Sequence, residues 1–141
     1  MREILFRGKQ IDNGEWVYGS FCMDALEQKN GLCGVDGFIR RYDADVGKMQ
    51  MHEVDRETVG QFTGLTDKNG NKIFEGDIVR TDKFSEPNKQ YIVKFDLQFG
   101  AFIGQDKWNM YFVTFDGDSD QFEIIGNIHD NPELLEGGEN G

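Results

Sequence analysis

Between Gln61 and Arg80 the chain reads Gln-Phe-Thr-Gly-Leu-Thr-Asp-Lys-Asn-Gly-Asn-Lys-Ile-Phe-Glu-Gly-Asp-Ile-Val-Arg, with hardly a residue outside a strand-like run or a turn. Asn69-Gly70 tolerates the positive φ values of a tight hairpin turn, and it joins Gln61–Thr63 to Lys72–Phe74. Glu75-Gly76-Asp77 then bends the chain into Ile78-Val79-Arg80, since Gly and short acidic residues favour such bends. A segment built this way folds as paired short strands. Its Asp, Glu and Lys residues are accounted for by turn chemistry before any catalytic role is considered.

The same grammar runs through the rest of the chain. Ile4–Phe6 leads through Asn13-Gly14, read as a two-residue type I′ hairpin, into Glu15–Phe21. Residues 28–37, with three Gly and an Asn, read as a loop. Gly37–Tyr42 and Lys48–Val54 read as strands joined by the polar Asp43–Gly47. An Asp-capped turn at Asp55–Thr58 precedes Val59–Thr63. Tyr91, Val93 and Phe95 alternate with Ile92 and Lys94, the period-two pattern of a half-buried strand. Gly100–Ile103, Asn109–Phe115 and Gln121–Ile125 complete the set. Helical periodicity is weak: Met23–Lys29 holds a turn or a loop. Asn131-Pro132 before Leu134-Leu135 has the form of a capped terminal turn. Eighteen Gly against two Pro in 141 residues agree with many tight turns. Short strands at regular spacing predict an all-β fold, a small barrel or sandwich.

Several function classes are disfavoured. The formal net charge is -11, from 26 acidic and 15 basic residues, so a polyanion meets long-range repulsion unless cations cluster. Arg40-Arg41 and Lys68/Lys72 are the candidate clusters. Cys22 and Cys33 lie outside any Cys-x-x-Cys pattern and are too few for a disulfide framework. No apolar run is long enough for a signal peptide or a membrane helix, and a reducing cytoplasm is the expected compartment.

The candidate chemical groups are few. Asp116, Asp118 and Asp120 occupy positions 1, 3 and 5 of a calcium-type loop, but Gln121 and Asn127 stand where that loop needs Gly and Glu, so an acidic β-turn is the expectation. His52 alternates with Met51 and Glu53 and is expected to face solvent. His129, beside Asp130, is expected to serve the C-terminal turn. Glu75 and Asp77 flank Gly76 as a carboxylate pair, which the turn explains. No nucleophile elbow, phosphate loop or dinucleotide fingerprint is present. No residue is therefore expected to be catalytic, to bind a cofactor or to ligate a metal. The aromatic residues Trp16, Tyr18, Tyr91, Phe95, Phe99, Phe102, Trp108, Tyr111, Phe112 and Phe115 are expected mostly in the core, with the remainder at an interaction surface.

In combination, these motifs carry a family pattern. Phe6–Lys9, Gly14–Gly19, Glu57–Leu65, Asp67–Gly70, Ile73–Val79 and the closing Ile125–Leu134 resemble the YopX family over essentially the whole chain. The resemblance implies a small, mostly β protein of phages and prophages with no assigned catalytic residues. It also implies an SH3-like or related barrel in the C-terminal half with an N-terminal β extension. The domain reading is one unit, 1–141, with sub-lobes 1–57 and 58–136 and a tail, 137–141. The functional expectation is a non-enzymatic interaction module, a homo-oligomer with a host or phage protein partner. The alternatives are an acidic decoy for a host DNA-binding protein, or weak nucleic-acid binding through an SH3- or OB-like sheet using Arg40, Arg41 and exposed aromatics.

Overall fold

The computed structural model describes residues 3–22, 37–81, 89–106, 112–115 and 121–136. The chain divides into two compact units, Met1–Phe62 and Thr63–Gly141. Both are built of antiparallel strands, so the all-β class follows from the turn pattern as expected.

In the first unit, β1 (Phe6–Gln10), β2 (Trp16–Cys22), β3 (Phe38–Asp43) and β4 (Lys48–Thr66, whose last residues enter the second unit) pair in chain order. β4 also returns to pair with β1, so the four strands close into a ring in which each is bonded on both sides. Closure satisfies backbone groups that an open edge would expose. Val17, Ile39 and Val54 fill the ring, with Phe6, Phe21 and Val59 packed against them. So small a ring needs close backbone approach. A Cβ at Gly19 would strike the Arg40 carbonyl oxygen on the neighbouring strand.

β4 departs from the expectation of two strands separated by a turn. Opposite β1 its register jumps from Arg7↔Gly60 to Lys9↔Asp55. Within the jump Thr58 Oγ1 accepts from the Lys9 N–H at 2.8 Å and donates to the Asp55 carbonyl at 2.6 Å. The Glu57 N–H donates to Asp55 Oδ1. The Asp-led turn is therefore present, but as an irregularity inside one 19-residue strand. Such irregularities bend a strand, which lets it follow the ring.

The hairpin loops also differ from expectation. Gln10 and Glu15 close the first loop, and the Gly14 N–H donates to the Gln10 carbonyl at 2.9 Å. The loop is thus four residues long, and Gly14 alone supplies its left-handed glycine position, φ 71°. Asp43–Gly47 and Asp96–Gly100 repeat the arrangement, each glycine N–H bonding to the Asp carbonyl at 2.8 Å. The Asp43 and Asp96 carboxylates accept from N–H groups inside their own loops. Asn69-Gly70 closes a three-residue loop between Asp67 and Asn71. Loops of three and four residues with a left-handed glycine are common hairpin connections built around type I turns.

The second unit holds β5 (Lys72–Phe74), β6 (Asp77–Thr81), β7 (Lys89–Asp96), β8 (Ala101–Gln105), β9 (Phe112–Thr114), β10 (Phe122–Asn127) and the short helix α1 (Glu133–Glu136). Five strands form an antiparallel sheet in the order β10-β6-β7-β8-β9. An SH3-like closure goes beyond what this order defines. Ile73, Val79, Tyr91, Val93, Phe115 and Phe122 make the core, joined by Leu65, Val113 and Ile124. The Phe115 and Phe122 rings meet edge to face at 5.0 Å. Burying a side chain the size of Phe122 contributes about 2–3 kcal/mol. Phe95 continues the Tyr91/Val93 side of β7 but reaches past the core into solvent, meeting Phe102 edge to face.

Candidate interaction surface

Two of the patterned segments meet in the second unit. Asp77 pairs with Asn127 across β6 and β10. The Gly76 N–H donates to the Val93 carbonyl, and the Ile128 N–H donates to the Gly76 carbonyl at 2.9 Å. Asp77 Oδ2 accepts from the Phe74 N–H at 2.8 Å. Asn127 Oδ1 accepts from the His129 and Asp130 N–H groups, and its amide donates to Asp130 Oδ2. Asn131 Oδ1 takes the Asn127 N–H, so the expected helix cap turns back toward β10, where Leu134 packs close against Gly126. Asp77, Asn127 and Asn131 each accept at least one local backbone N–H.

Asp67 is the most committed of them. Its Oδ1 accepts from the Asn69 and Asn71 N–H groups, and its Oδ2 accepts from the Ile124 N–H at 3.0 Å. Burial pushes its pKa up, but the backbone donors from Ile124, Asn71 and Asn69 outweigh burial and hold it below the ordinary value of 3.8. A carboxylate so held stays ionised at neutral pH with its oxygens occupied, unlike the tuned groups of acid–base catalysis. Of the Glu75/Asp77 pair, Asp77 is buried and Glu75 half-exposed. Sequence reasoning did not single out Asp67 as a hub. Its third donor, Ile124, lies 57 positions away.

The other candidates fall as follows. His52 does not face solvent: it stands opposite Ile39 on the inner side, with Nε2 buried, while Met51 and Glu53 on either side are exposed. His129 is half-buried in the C-terminal turn. Lys68 lies 3.8 Å from Glu123, which also accepts from Arg80 Nε and Nη2. The Arg80 guanidinium, with Lys68, holds Glu123 below the ordinary carboxylate value. Asp116, Asp118, Asp120, Cys33, Trp108, Tyr111 and Met23–Lys29 lie outside the described residues. Among those described, no group of His, Cys, Asp or Glu is placed to hold a metal, and no helix is long and apolar enough to cross a membrane.

The exposed side chains form a pattern. Register places Phe38 opposite Glu53, Arg40 opposite Met51 and Tyr42 opposite Met49. Residues directly opposite share one side of a sheet. On β2 the same side carries Ser20, opposite Arg40, and Tyr18 two residues earlier. Tyr42 is 62% exposed, Met49 54% and Met51 44%, with Tyr18 also exposed. Nearby, Trp16 is covered by the Arg7 guanidinium at 4.5 Å and by Lys9 at 5.6 Å. Alternation turns Arg41 to the opposite side from Arg40. In the second unit Leu97, 90% exposed, tips the β7–β8 loop, and Phe99 there meets the exposed Phe112 at 5.1 Å. Tyr91 and Phe115 are core, as expected of most aromatics, whereas Tyr18, Phe95, Phe99 and Phe112 are not. Met49 and Met51 escaped sequence reasoning, although their alternation with half-buried Gln50 and His52 was visible.

A comparison with curated proteins found no match. Among solved structures, the chain is similar to the crystal structure of protein EF1440 from Enterococcus faecalis, at 25% identity and a TM-score of 0.54. The match covers 96% of this chain and 99% of that one. A family model described as YopX protein matches residues 5–136. With nearly its whole length matched, the chain belongs to the YopX family.

Proposed function

We propose that the chain is a non-enzymatic interaction module of phage or prophage type, acting through the outward side of β2, β3 and β4. The observation that carries this reading is the register that sets exposed Tyr42 beside exposed Met49 and Arg40 beside exposed Met51. Tyr, Met and Arg are enriched where protein interfaces bury their centres. Methionine adapts its shape to a partner, and a strand-held position lowers the ordering cost of binding. The commitment of Asp67, Asp77 and Asn127 to backbone donors supports a structural role for the polar motif residues.

The test is affinity capture from a lysate of the bacterial host that also contains an untagged copy of the chain, with the tagged parent chain, a Tyr42→Glu/Met49→Glu variant and a Leu97→Glu/Phe99→Glu variant, each checked for a native circular dichroism spectrum. Partners are expected with the parent and the Leu97/Phe99 variant, and not with the Tyr42/Met49 variant. Identical capture by all three would overturn the reading. Direct nucleic-acid binding is the weaker alternative, because Arg40 and Arg41 point to opposite sides of β3 and do not form one cationic site. A mobility shift with single-stranded oligonucleotide at low salt, abolished by Arg40→Glu, would favour it.

A further inference from the structure

We infer that the occupant of this surface is a second copy of the chain, joined about a two-fold axis that sets Arg40 of one copy against Glu53 of the other. The inference rests on the interaction reading above and narrows it to one partner. Phe38 stands opposite Glu53 and Arg40 opposite Met51, so Arg40 and Glu53 are diagonal neighbours on the same side, roughly 7–8 Å apart at their backbones. Both are exposed. Among the described residues, neither side chain is held in an ion pair or hydrogen bond.

The surface therefore offers one positive and one negative group side by side, with Met51 in the angle between them. A two-fold interface must be complementary to itself, residue i meeting j while j meets i. An axis lying in the interface between Arg40 and Glu53 meets that demand. It exchanges the two charges and brings Met51 against its own counterpart, with Tyr42 and Met49 adjoining. Charge also suits this surface to a second copy. Two chains of net charge -11 repel each other. Tyr18, Ser20, Arg40, Tyr42, Met49 and Met51 carry no carboxylate, and the one at Glu53 has a cation beside it to answer.

Light scattering and sedimentation of the full chain at about 100 μM, which populates dimers of micromolar affinity, test the inference. The parent is expected at twice the 16.2 kDa chain mass. Arg40→Glu, Glu53→Arg and Met51→Glu are each expected to weaken self-association about tenfold or more, through like charges brought together or a charge buried unpaired. The exchange variant Arg40→Glu/Glu53→Arg restores reciprocity and is expected to recover the dimer. Because all three positions are exposed, each variant should keep the parent's circular dichroism spectrum. A monomeric parent, or an exchange variant no better than either single change, overturns the inference. A monomeric parent whose host partner is lost with Tyr42→Glu/Met49→Glu leaves the interaction reading standing with a different partner. A monomeric parent with identical capture by all variants removes both.

Discussion

The Asp67 carboxylate gathers backbone donors from its own turn and from β10, so one side chain fixes both a hairpin and a long-range strand position. Hydrogen bonds to a charged acceptor contribute more than neutral ones, and a buried donor left unpaired costs further. Asp67→Asn puts an amide that donates where the site asks only for an acceptor. It is expected to lower stability by about 2–3 kcal/mol at pH 7, read from urea midpoints. The pH dependence has a definite sign. The folded pKa lies below the ordinary 3.8, so the folded state binds this proton more weakly than the unfolded state. The stabilisation is complete above the unfolded value and is lost as pH falls through the folded one. The gap between parent and variant should therefore narrow once the pH drops below about 4. An equal gap at pH 7 and pH 3 would mean that the charge of Asp67 is not what stabilises the fold.

A loop glycine and a strand glycine separate two kinds of substitution cost. At Gly100 an added Cβ meets nothing within 4 Å, so only the backbone angle, φ 64°, resists substitution. Gly100→Ala is expected to cost about 1 kcal/mol. Gly19→Ala forces β2 away from the Arg40 carbonyl, and overpacking of that kind costs about 1–3 kcal/mol, occasionally more. Thermal melts of the two variants should rank Gly19→Ala as the less stable. If Gly100→Ala proves as damaging, the loop geometry must carry more of the sheet's stability than its open surroundings imply.

How far these elements were legible follows from the same physics. Strand existence and turn position were readable at Asn13-Gly14, Asn69-Gly70 and Glu75-Gly76, because those residues act locally. Loop length was not, since it depends on which residues close the ladder, and Gln10 with Glu15 is a cross-strand choice. A local signal did exist: Asp followed four positions later by Gly, at Asp43/Gly47 and Asp96/Gly100, marks the four-residue loops. The unity of β4 was hidden because Asp55–Thr58 makes a turn-like cluster in either outcome; only pairing with β1, some 50 residues earlier, keeps it in the strand. For the candidate surface, alternation alone could have parted Arg40 from Arg41 and joined Met49 to Met51. It could not place both runs opposite each other and beside Tyr18.

For the whole molecule, net charge and local complementarity oppose each other, and their ranges differ. The repulsion between two chains of net charge -11 acts over the Debye length, about 30 Å at 10 mM salt and about 8 Å at 0.15 M. The reciprocal Arg40–Glu53 contacts act within a few ångströms, in a surface partly closed to ions. Raising salt over that interval should therefore remove more repulsion than attraction. Dimer affinity is expected to strengthen from 10 mM to 0.15 M salt, the reverse of an association driven by opposite charges. The Arg40→Glu/Glu53→Arg variant keeps the same net charge and should show the same trend. Arg40→Glu adds two negative charges to each chain and should remain monomeric at low salt, recovering only part of its affinity as salt rises. Sedimentation equilibrium at the two salt concentrations measures all three. Weakening with salt in the parent would mean that short-range charge pairing outweighs the field of the whole chain, and the surface would then suit an oppositely charged partner better than a second copy.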